Sequence, residues 1–237
     1  MTIAVAIKCN DGLVLGADTL MAHGKPSEAG SFAHYETKTH GTDGRYFSAS
    51  MVGAGDSYHY RSLALSVMQK LNAGESEDVE RLPDTRSILE AALTELASGI
   101  NSMPDIVTLV GSVKPLHKQI DLFKTHDLVV DTALPIEVIG IGEESLVRYI
   151  KERLYRPNLS LRKAAALAVY IILVAKEYCP QYCGGPTDIE ILRTEYPLRV
   201  SPSRQKIEEL EGAFEKGGKR HLRALLEEAS QLLGEPT

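Results

Sequence analysis

The second residue of the chain, Thr2, is of a type and in a place that could supply a nucleophile. It directly follows Met1, and threonine is small enough for methionine aminopeptidase to expose it. The exposed residue would carry both a hydroxyl and a free α-amine, and such an amine has an ordinary pKa of about 8. A threonine hydroxyl activated by its own amine is a known nucleophile. A Met-Thr start is also compatible with an ordinary first strand, so both interpretations stay open at this point.

The three cysteines point to no second kind of chemistry. Cys9, Cys179 and Cys183 are too few, and odd in number, for a disulfide framework. Cys179 and Cys183 are four residues apart, but no second Cys/His pair stands at metal-ligand spacing. We therefore expect reduced thiols, no metal and no cofactor.

Bulk composition sets wide limits on the protein. The 237 residues are 43% hydrophobic, which is enough for one sizeable core. With 26 basic and 32 acidic residues the net charge is −6, and no basic block would follow a phosphate backbone, so no nucleic-acid partner is expected. The longest apolar run, 164–175, is too short to span a bilayer, and the first residues do not have the pattern of a secretory signal. These features predict a cytoplasmic protein with no membrane partner.

The elements around Thr2 are predicted to be strands. Residues 2–9 and 13–18 are rich in β-branched and apolar residues, and Asn10-Asp11-Gly12 between them is a tight hairpin signal. Residues 19–34 lack periodicity and are predicted to be an excursion or loop. A second hairpin is expected around Gly41-Thr-Asp-Gly44. Because residues of both first strands are apolar at successive positions, both of their faces should be covered.

The later elements alternate in blocks. Two helices are predicted after Asp56 and Asp84, three strands over 105–141, two helices over 143–154 and 160–178, and a last strand at 188–192. Separate runs of strands and helices indicate the α+β class with stacked helix and sheet layers. We predict one domain over residues 1–237, with a tail from about residue 203 that forms two helices broken at Gly217-Gly218.

The head of the chain carries a more specific pattern. The segment from Thr2 through Asn10-Asp11-Gly12 to Asp18, and then Lys38 ahead of a tight turn and Arg45, resembles the start of mature proteasome β-type subunits. Further matches follow in the family's order at Gly53-Ala-Gly-Asp56, at Val138-Ile-Gly-Ile-Gly142 and at Cys183-Gly-Gly-Pro-Thr-Asp188. The resemblance spans about residues 2–195. It implies the N-terminal nucleophile hydrolase fold, a four-layer αββα sandwich.

The resemblance also implies roles for individual residues. Thr2 Oγ1 would attack the carbonyl, and its own amine would accept the proton. Lys38 would place a positive charge near Oγ1, and Asp18 would hold that lysine oriented and charged. The oxyanion would bind a backbone N–H at the Gly-rich turn, for which Gly53 is our choice and Val52 the alternative.

Some positions depart from the family pattern. Glu143 stands where active members have a serine, and Cys183 falls near another of their polar residues. We predict supporting roles for both, beside the N-terminal amine. By family position, Met21, Ala22 and Ser50 would lie near the first specificity pocket.

The function predicted from the sequence is a threonine endopeptidase in a self-compartmentalising homo-oligomer. Its partners would be a peptide or unfolded protein as substrate, further copies of the chain in a ring, and an ATPase unfoldase of the kind that serves bacterial peptidases. Two alternatives stay open: an inactive scaffold-type homologue, and an acyl transferase or amidase that uses the same threonine.

Overall fold

The computed structural model of the chain describes residues 2–23, 32–74, 82–100, 104–140 and 152–233. Its strands are β1 (Ile3–Cys9), β2 (Gly12–Asp18), β3 (Leu20–His23), β4 (Phe32–Tyr35), β5 (Thr39–Asp43), β6 (Ser48–Gly55), β7 (Ile106–Lys114), β8 (Gln119–His126), β9 (Val129–Thr132), β10 (Ile136–Gly140), β11 (Thr187–Arg193) and β12 (Arg199–Val200). Its α-helices are α1 (Ser57–Ala73), α2 (Thr85–Ser98), α3 (Leu161–Tyr178) and α4 (Arg204–Leu233), and a short 3₁₀ helix spans Pro115–His117.

The first sheet contains the start of the chain in its interior. Its strand order is β10-β1-β2-β11-β12, and every pairing is antiparallel. The predicted hairpin between β1 and β2 is confirmed, with Cys9 opposite Gly12. All of β2 and nearly all of β1 is buried, because each strand has neighbours on both edges and apolar side chains on both faces.

The second sheet is an antiparallel meander in the order β5-β6-β7-β8-β9. The predicted second hairpin is present as β5 and β6, although the chain reverses three residues later than expected, between Asp43 and Ser48. Strand β9 was not predicted from the sequence, because it has only four residues and only one of them is buried.

The described ends of segment 19–34, predicted to be an excursion or loop, form strands. Residues on either side of that segment's middle form a separate two-stranded sheet, in which Leu20 pairs with Tyr35 and His23 with Phe32. Strands this short carry too few residues to show a period of two, so the pattern in the sequence was not visible.

Local capping explains where the helices begin. The Asp56 carboxylate accepts from the backbone N–H of His59 at the start of α1, and Asp84 accepts from Arg86 at the start of α2. Ser160 occupies the N-cap position of α3 in extended conformation, but its side chain makes no capping hydrogen bond. The prediction of two C-terminal helices is wrong, since α4 continues through Gly217-Gly218 as one helix. A glycine costs an α-helix only about 1 kcal/mol relative to alanine, so it need not end one.

Three clusters of buried side chains hold these elements together. One joins α3 to β1, β2 and β10, with Val5, Val14 and Ile172 among its members. A second joins α1 and α2 to the second sheet. The third contains residues of both five-stranded sheets, including Leu15 and Leu109, and so joins the two sheets to each other.

The α+β class predicted from the sequence is confirmed. The four-layer αββα sandwich must be corrected as a description of the whole chain, because the described residues form three sheets and add the long helix α4. The third sheet arises where the excursion after β2 pairs with itself. No helix in the described part of the chain is long and apolar enough to cross a membrane.

Candidate active site

Three strand ends bring together the residues proposed for catalysis. Thr2 lies just before β1, Asp18 ends β2, and Lys38 lies just before β5. The β1–β2 register pairs Ala4 with Ala17, which brings Ile3 next to Asp18, and the Ile3 N–H donates to Asp18 Oδ1 at 3.1 Å. The hairpin therefore fixes the distance between Thr2 and Asp18.

Lys38 lies at the centre of the group. Its Nζ donates to Thr2 Oγ1 at 2.6 Å, to Asp18 Oδ1 at 3.0 Å and to the Leu20 carbonyl at 2.5 Å. An ammonium group has three protons, so these three acceptors match its full donor capacity. The geometry therefore suits a charged lysine that donates one of its three hydrogen bonds to the Thr2 hydroxyl oxygen.

Burial makes this charge arrangement consequential. Thr2 is 5% exposed, Asp18 0% and Lys38 2%. Burial lowers the pKa of Lys38, and the neighbouring Asp18 carboxylate opposes that shift by Coulomb attraction and a hydrogen bond. A buried charge is tolerated only when it is paired and hydrogen-bonded, and Lys38 and Asp18 meet that condition for each other.

Asp18 also connects the site to the far part of the chain. Its Oδ2 accepts from the N–H of Gly184 at 3.0 Å, and the Gly184 carbonyl accepts from the N–H groups of Thr19 and Leu20. In the first sheet Asp18 lies opposite Thr187 of β11. The turn before β11 thus holds the carboxylate in place from the side opposite β1.

Gly53, the predicted oxyanion donor, lies near the end of β6. The β5–β6 pairing ends at Thr39 and Val52, whereas β7 continues beside Gly53. The next residue, Ala54, is close to Thr2: a methyl group built on Gly140 would lie 1.9 Å from the Thr2 carbonyl oxygen and 3.2 Å from the Ala54 Cβ. This end of β6 therefore borders the threonine.

The two predicted supporting residues have different outcomes. Cys183 is buried directly before Gly184, and burial, with the Asp18 charge, raises the pKa of its thiol to about 12, while Lys38 acts in the opposite direction. It therefore lies within the field of the buried ion pair as a protonated thiol. Glu143 lies outside the described residues, and its role stays a prediction.

The residues predicted for a specificity pocket lie on strands of two different sheets. Met21 is half-buried on β3 opposite His34, and Ala22 follows it on the same strand. Ser50 is fully buried on β6, on the same strand face as Val52 and therefore toward the other sheet. The structure does not bring Ser50 to an open surface.

Several polar groups around the Lys38–Asp18 pair were not predicted from the sequence: the Leu20 carbonyl accepts from Lys38, and the Gly184 N–H donates to Asp18. The Leu20 carbonyl and the Gly184 N–H are backbone groups, which leave no mark in the sequence. Asp188, whose charge opposes the lowering of the Lys38 pKa, lies in the predicted last strand. Tyr60, whose hydroxyl donates to the Lys38 carbonyl at 2.6 Å, lies in the helix predicted after Asp56. A polar-tipped residue on an apolar face was the only available signal for Tyr60.

Within the described residues, no group of three or more His, Cys, Asp or Glu side chains could hold a metal ion. The site is a threonine hydroxyl in contact with a buried lysine–aspartate pair. Such a pair can stabilise negative charge on the hydroxyl oxygen, which is the state that attacks a carbonyl.

Comparison with known proteins shows the fold. No family model matches the sequence, and no curated protein matches it. Among solved structures, Anbu (ancestral beta-subunit) from Yersinia bercovieri is similar with a TM-score of 0.75 at 15% identity, covering 100% of this chain and 99% of that one. Anbu from Hyphomicrobium sp. strain MC1 has a TM-score of 0.73 at 18% identity and covers 94% and 97% of the two chains. A structure of the helical assembly of the Anbu complex from Pseudomonas aeruginosa has a TM-score of 0.72 at 17% identity and covers 100% and 98%.

These similarities correct the family predicted from the sequence. The prediction of a proteasome β-type subunit is wrong, because the similar solved structures are structures of Anbu, described as an ancestral beta-subunit. At these identities the likeness shows the fold alone.

Proposed function

We propose that the chain is an N-terminal nucleophile hydrolase of the threonine peptidase type, with Thr2 as nucleophile once Met1 is removed. The observation that carries the proposal is the 2.6 Å contact from Lys38 Nζ to Thr2 Oγ1, made by a lysine that also bonds Asp18. A buried ion pair is costly to maintain, and its contact with a hydroxyl is hard to explain by stability alone.

The proposed reaction follows from the positions of the groups. Thr2 Oγ1 attacks the carbonyl carbon of a peptide bond, and its proton passes to the α-amine through one water. The Lys38 ammonium stabilises the developing alkoxide, and the backbone N–H of Gly53 is the proposed donor to the oxyanion. The leaving amine takes the proton from the α-amine. Water then hydrolyses the ester on Thr2 and restores the free hydroxyl.

The proposal includes a homo-oligomer in the cytoplasm. One structure of similar fold is of a helical assembly, that of the Anbu complex from Pseudomonas aeruginosa, which favours self-association over a single working copy. The three core clusters support a stack of helix, sheet, sheet and helices as the catalytic framework, with the β3–β4 sheet and α4 added to it.

Covalent labelling of Thr2 tests the catalytic proposal. Intact-mass analysis of the purified protein should show loss of Met1, and a threonine-directed β-lactone should add one equivalent at Thr2. Thr2→Ala removes the nucleophile and Lys38→Ala removes its charge partner, so each should abolish labelling and peptide cleavage. Removing a preorganised electrostatic group of this kind costs about 100- to 1000-fold in rate.

Lys114→Ala is the matched control. Lys114 is also a buried lysine with a carboxylate nearby, Asp121. It is the last residue of β7, whereas Gly55 pairs with the first residue of that strand. The Lys114→Ala variant should be labelled at the wild-type rate. Retention of Met1 without any adduct would contradict the proposal and favour the scaffold alternative, as would labelling that is unchanged in Lys38→Ala.

A further inference from the structure

Tyr60, near the start of α1, makes a polar contact that a core tyrosine does not need for packing. The residue is 3% exposed, and its hydroxyl donates to the Lys38 carbonyl at 2.6 Å and lies 3.1 Å from the Met51 carbonyl. Burial, with the charge of Glu190, raises the pKa of Tyr60 well above 10, so the phenol keeps its proton. It has one proton to donate, and the shorter contact is to Lys38.

The position of this contact coincides with the end of a strand pairing. The β5–β6 register pairs Thr39 with Val52, and one further step would place Lys38 opposite Gly53. That step is absent from the β5–β6 ladder, and the Lys38 carbonyl instead accepts from the Tyr60 phenol.

The ring of Tyr60 fills the space on the other side of this step. A methyl group on Gly53 would lie 2.3 Å and 2.4 Å from two carbons of the ring, nearer than real side chains approach. Residue 53 must therefore be glycine as long as the ring is there. One side chain thus touches both the lysine and the proposed oxyanion donor.

We infer that Tyr60 is a positioning residue for the proposed reaction: it ends the β5–β6 ladder, anchors the main chain of Lys38, and leaves the Gly53 N–H free of a strand partner. A continued ladder would put the Lys38 carbonyl in competition with the substrate oxyanion for that N–H. The inference rests on the proposed function, since it assigns Tyr60 to that same site.

The test compares Tyr60→Phe with Tyr58→Phe. The first variant keeps the ring and removes only the hydroxyl. The second makes the same change at Tyr58, which lies two residues earlier on the same helix and is 77% exposed. In β-lactone inactivation, Tyr60→Phe should lower the maximal inactivation rate about 10- to 100-fold, since misplacing a catalytic group by about 1 Å has effects of that size. The inactivator concentration at half-maximal rate should not change, and Tyr58→Phe should behave as wild type.

A second measurement does not depend on activity. In protein labelled with ¹³C at lysine Cε, the Lys38 resonance, assigned by its loss in Lys38→Arg, should titrate below 10.5 in the wild type. In Tyr60→Phe the pKa of Lys38 should rise toward its ordinary value, because a less firmly held Lys38 is more exposed to water. Circular dichroism and urea unfolding establish the folded fraction of each variant.

The outcomes separate the two proposals. Suppose that the wild type is labelled, that Tyr60→Phe is labelled at the same rate, and that the Lys38 titration is the same in both proteins. This result overturns the positioning role and leaves the catalytic proposal intact. Loss of labelling only in proportion to an unfolded fraction also overturns it, because that is a packing effect. A wild type that is never labelled refutes the proposed function, while an upward shift of Lys38 in Tyr60→Phe would still support the positional coupling.

Discussion

At the scale of single residues, Asp18 is the group on which the candidate site depends most. It accepts from three donors that come from different parts of the chain: the N–H of Ile3, the Nζ of Lys38 and the N–H of Gly184. Replacing the carboxylate with a neutral group would leave the Lys38 charge buried without its partner. Breaking a buried pair in this way is more costly than never having formed it.

Asp18→Asn should therefore destabilise the fold by about 3 kcal/mol, as a broken buried ion pair does. It should also abolish β-lactone labelling of Thr2, because the neutral amide no longer stabilises the positive charge of Lys38 or fixes its position. Urea unfolding at neutral pH measures the first effect and mass spectrometry the second.

Asp127→Asn is the control for that experiment. Asp127 has a side chain 81% exposed and a positive φ of 51°, a conformation that asparagine adopts readily. Its unfolding free energy should match that of the wild type within about 0.5 kcal/mol. If Asp18→Asn behaved like this control, the ion pair would have no stabilising or organising role.

At the scale of elements, the junction of β10 with β1 determines where Thr2 lies. Gly140 pairs with Ile3 and has a φ of +84°, and a methyl group there would lie 1.9 Å from the Thr2 carbonyl oxygen. The strand can place the threonine where it does only if residue 140 has no side chain.

Gly140→Ala should thus lower the free energy of unfolding by about 2 kcal/mol, from backbone strain and overpacking together. It should slow Thr2 labelling to a greater extent than the loss of folded protein explains. Gly99→Ala provides the comparison, since Gly99 has a φ of −93° at the end of α2 and a methyl group there would meet only ordinary contacts of 3.6 Å or more. Equal effects of the two changes would show that Gly140 has no special relation to Thr2.

The elements also show what the sequence could and could not predict. The β1–β2 hairpin, the capped helices α1 and α2 and the buried helix α3 were predicted because each has a strong local period and a local stop or cap. The β3–β4 sheet and β9 were missed because strands of four residues have almost no period. The continuity of α4 was missed because its glycines gave a local signal that the rest of the helix outweighs.

The candidate site was predictable only in part for a related reason. Thr2, Asp18 and Lys38 were identified through a resemblance, and the structure brings them within hydrogen-bonding distance. The groups that orient them are backbone atoms of Leu20 and Gly184, together with a tyrosine whose type and spacing suit an apolar core. Such groups are recognised from geometry, which a single sequence does not contain.

At the scale of the whole molecule, two buried thiols make the free energy of unfolding depend on pH in the alkaline range. Burial, with the nearby Asp11, raises the pKa of Cys9 to about 12, and burial, with Asp18, raises that of Cys183 to about 12, from 9.0 for each. Above pH 9 the unfolded chain releases these protons while the folded protein keeps them. Stability that is fully present below pH 9 is therefore lost as pH rises toward 12, by up to about 1.4 kcal/mol per pH unit for each thiol.

The double substitution Cys9→Ala and Cys183→Ala should flatten this alkaline decline. Lys38 has a lowered pKa and so contributes in the opposite direction as pH approaches 10.5. Because Lys38 and Cys183 interact electrostatically, Cys9→Ala alone serves as the comparison in which Lys38 keeps its surroundings. The measurement is urea unfolding from pH 8 to 10, with the difference between variant and wild type plotted against pH. A difference that does not depend on pH would show that the two thiols ionise as readily in the folded protein as in the unfolded chain.

The pairing order of the first sheet has a consequence for the timing of biosynthesis. Thr2, Asp18 and Lys38 all leave the ribosome early, yet β1 needs β10 on one edge and β2 needs β11 on the other. The Gly184 N–H that holds Asp18 arrives only with the turn before β11. A nascent chain therefore carries every proposed catalytic side chain for most of its synthesis without the strands that position them. If the proposed function holds, Thr2 is expected to become reactive only after the chain has been synthesised beyond residue 193.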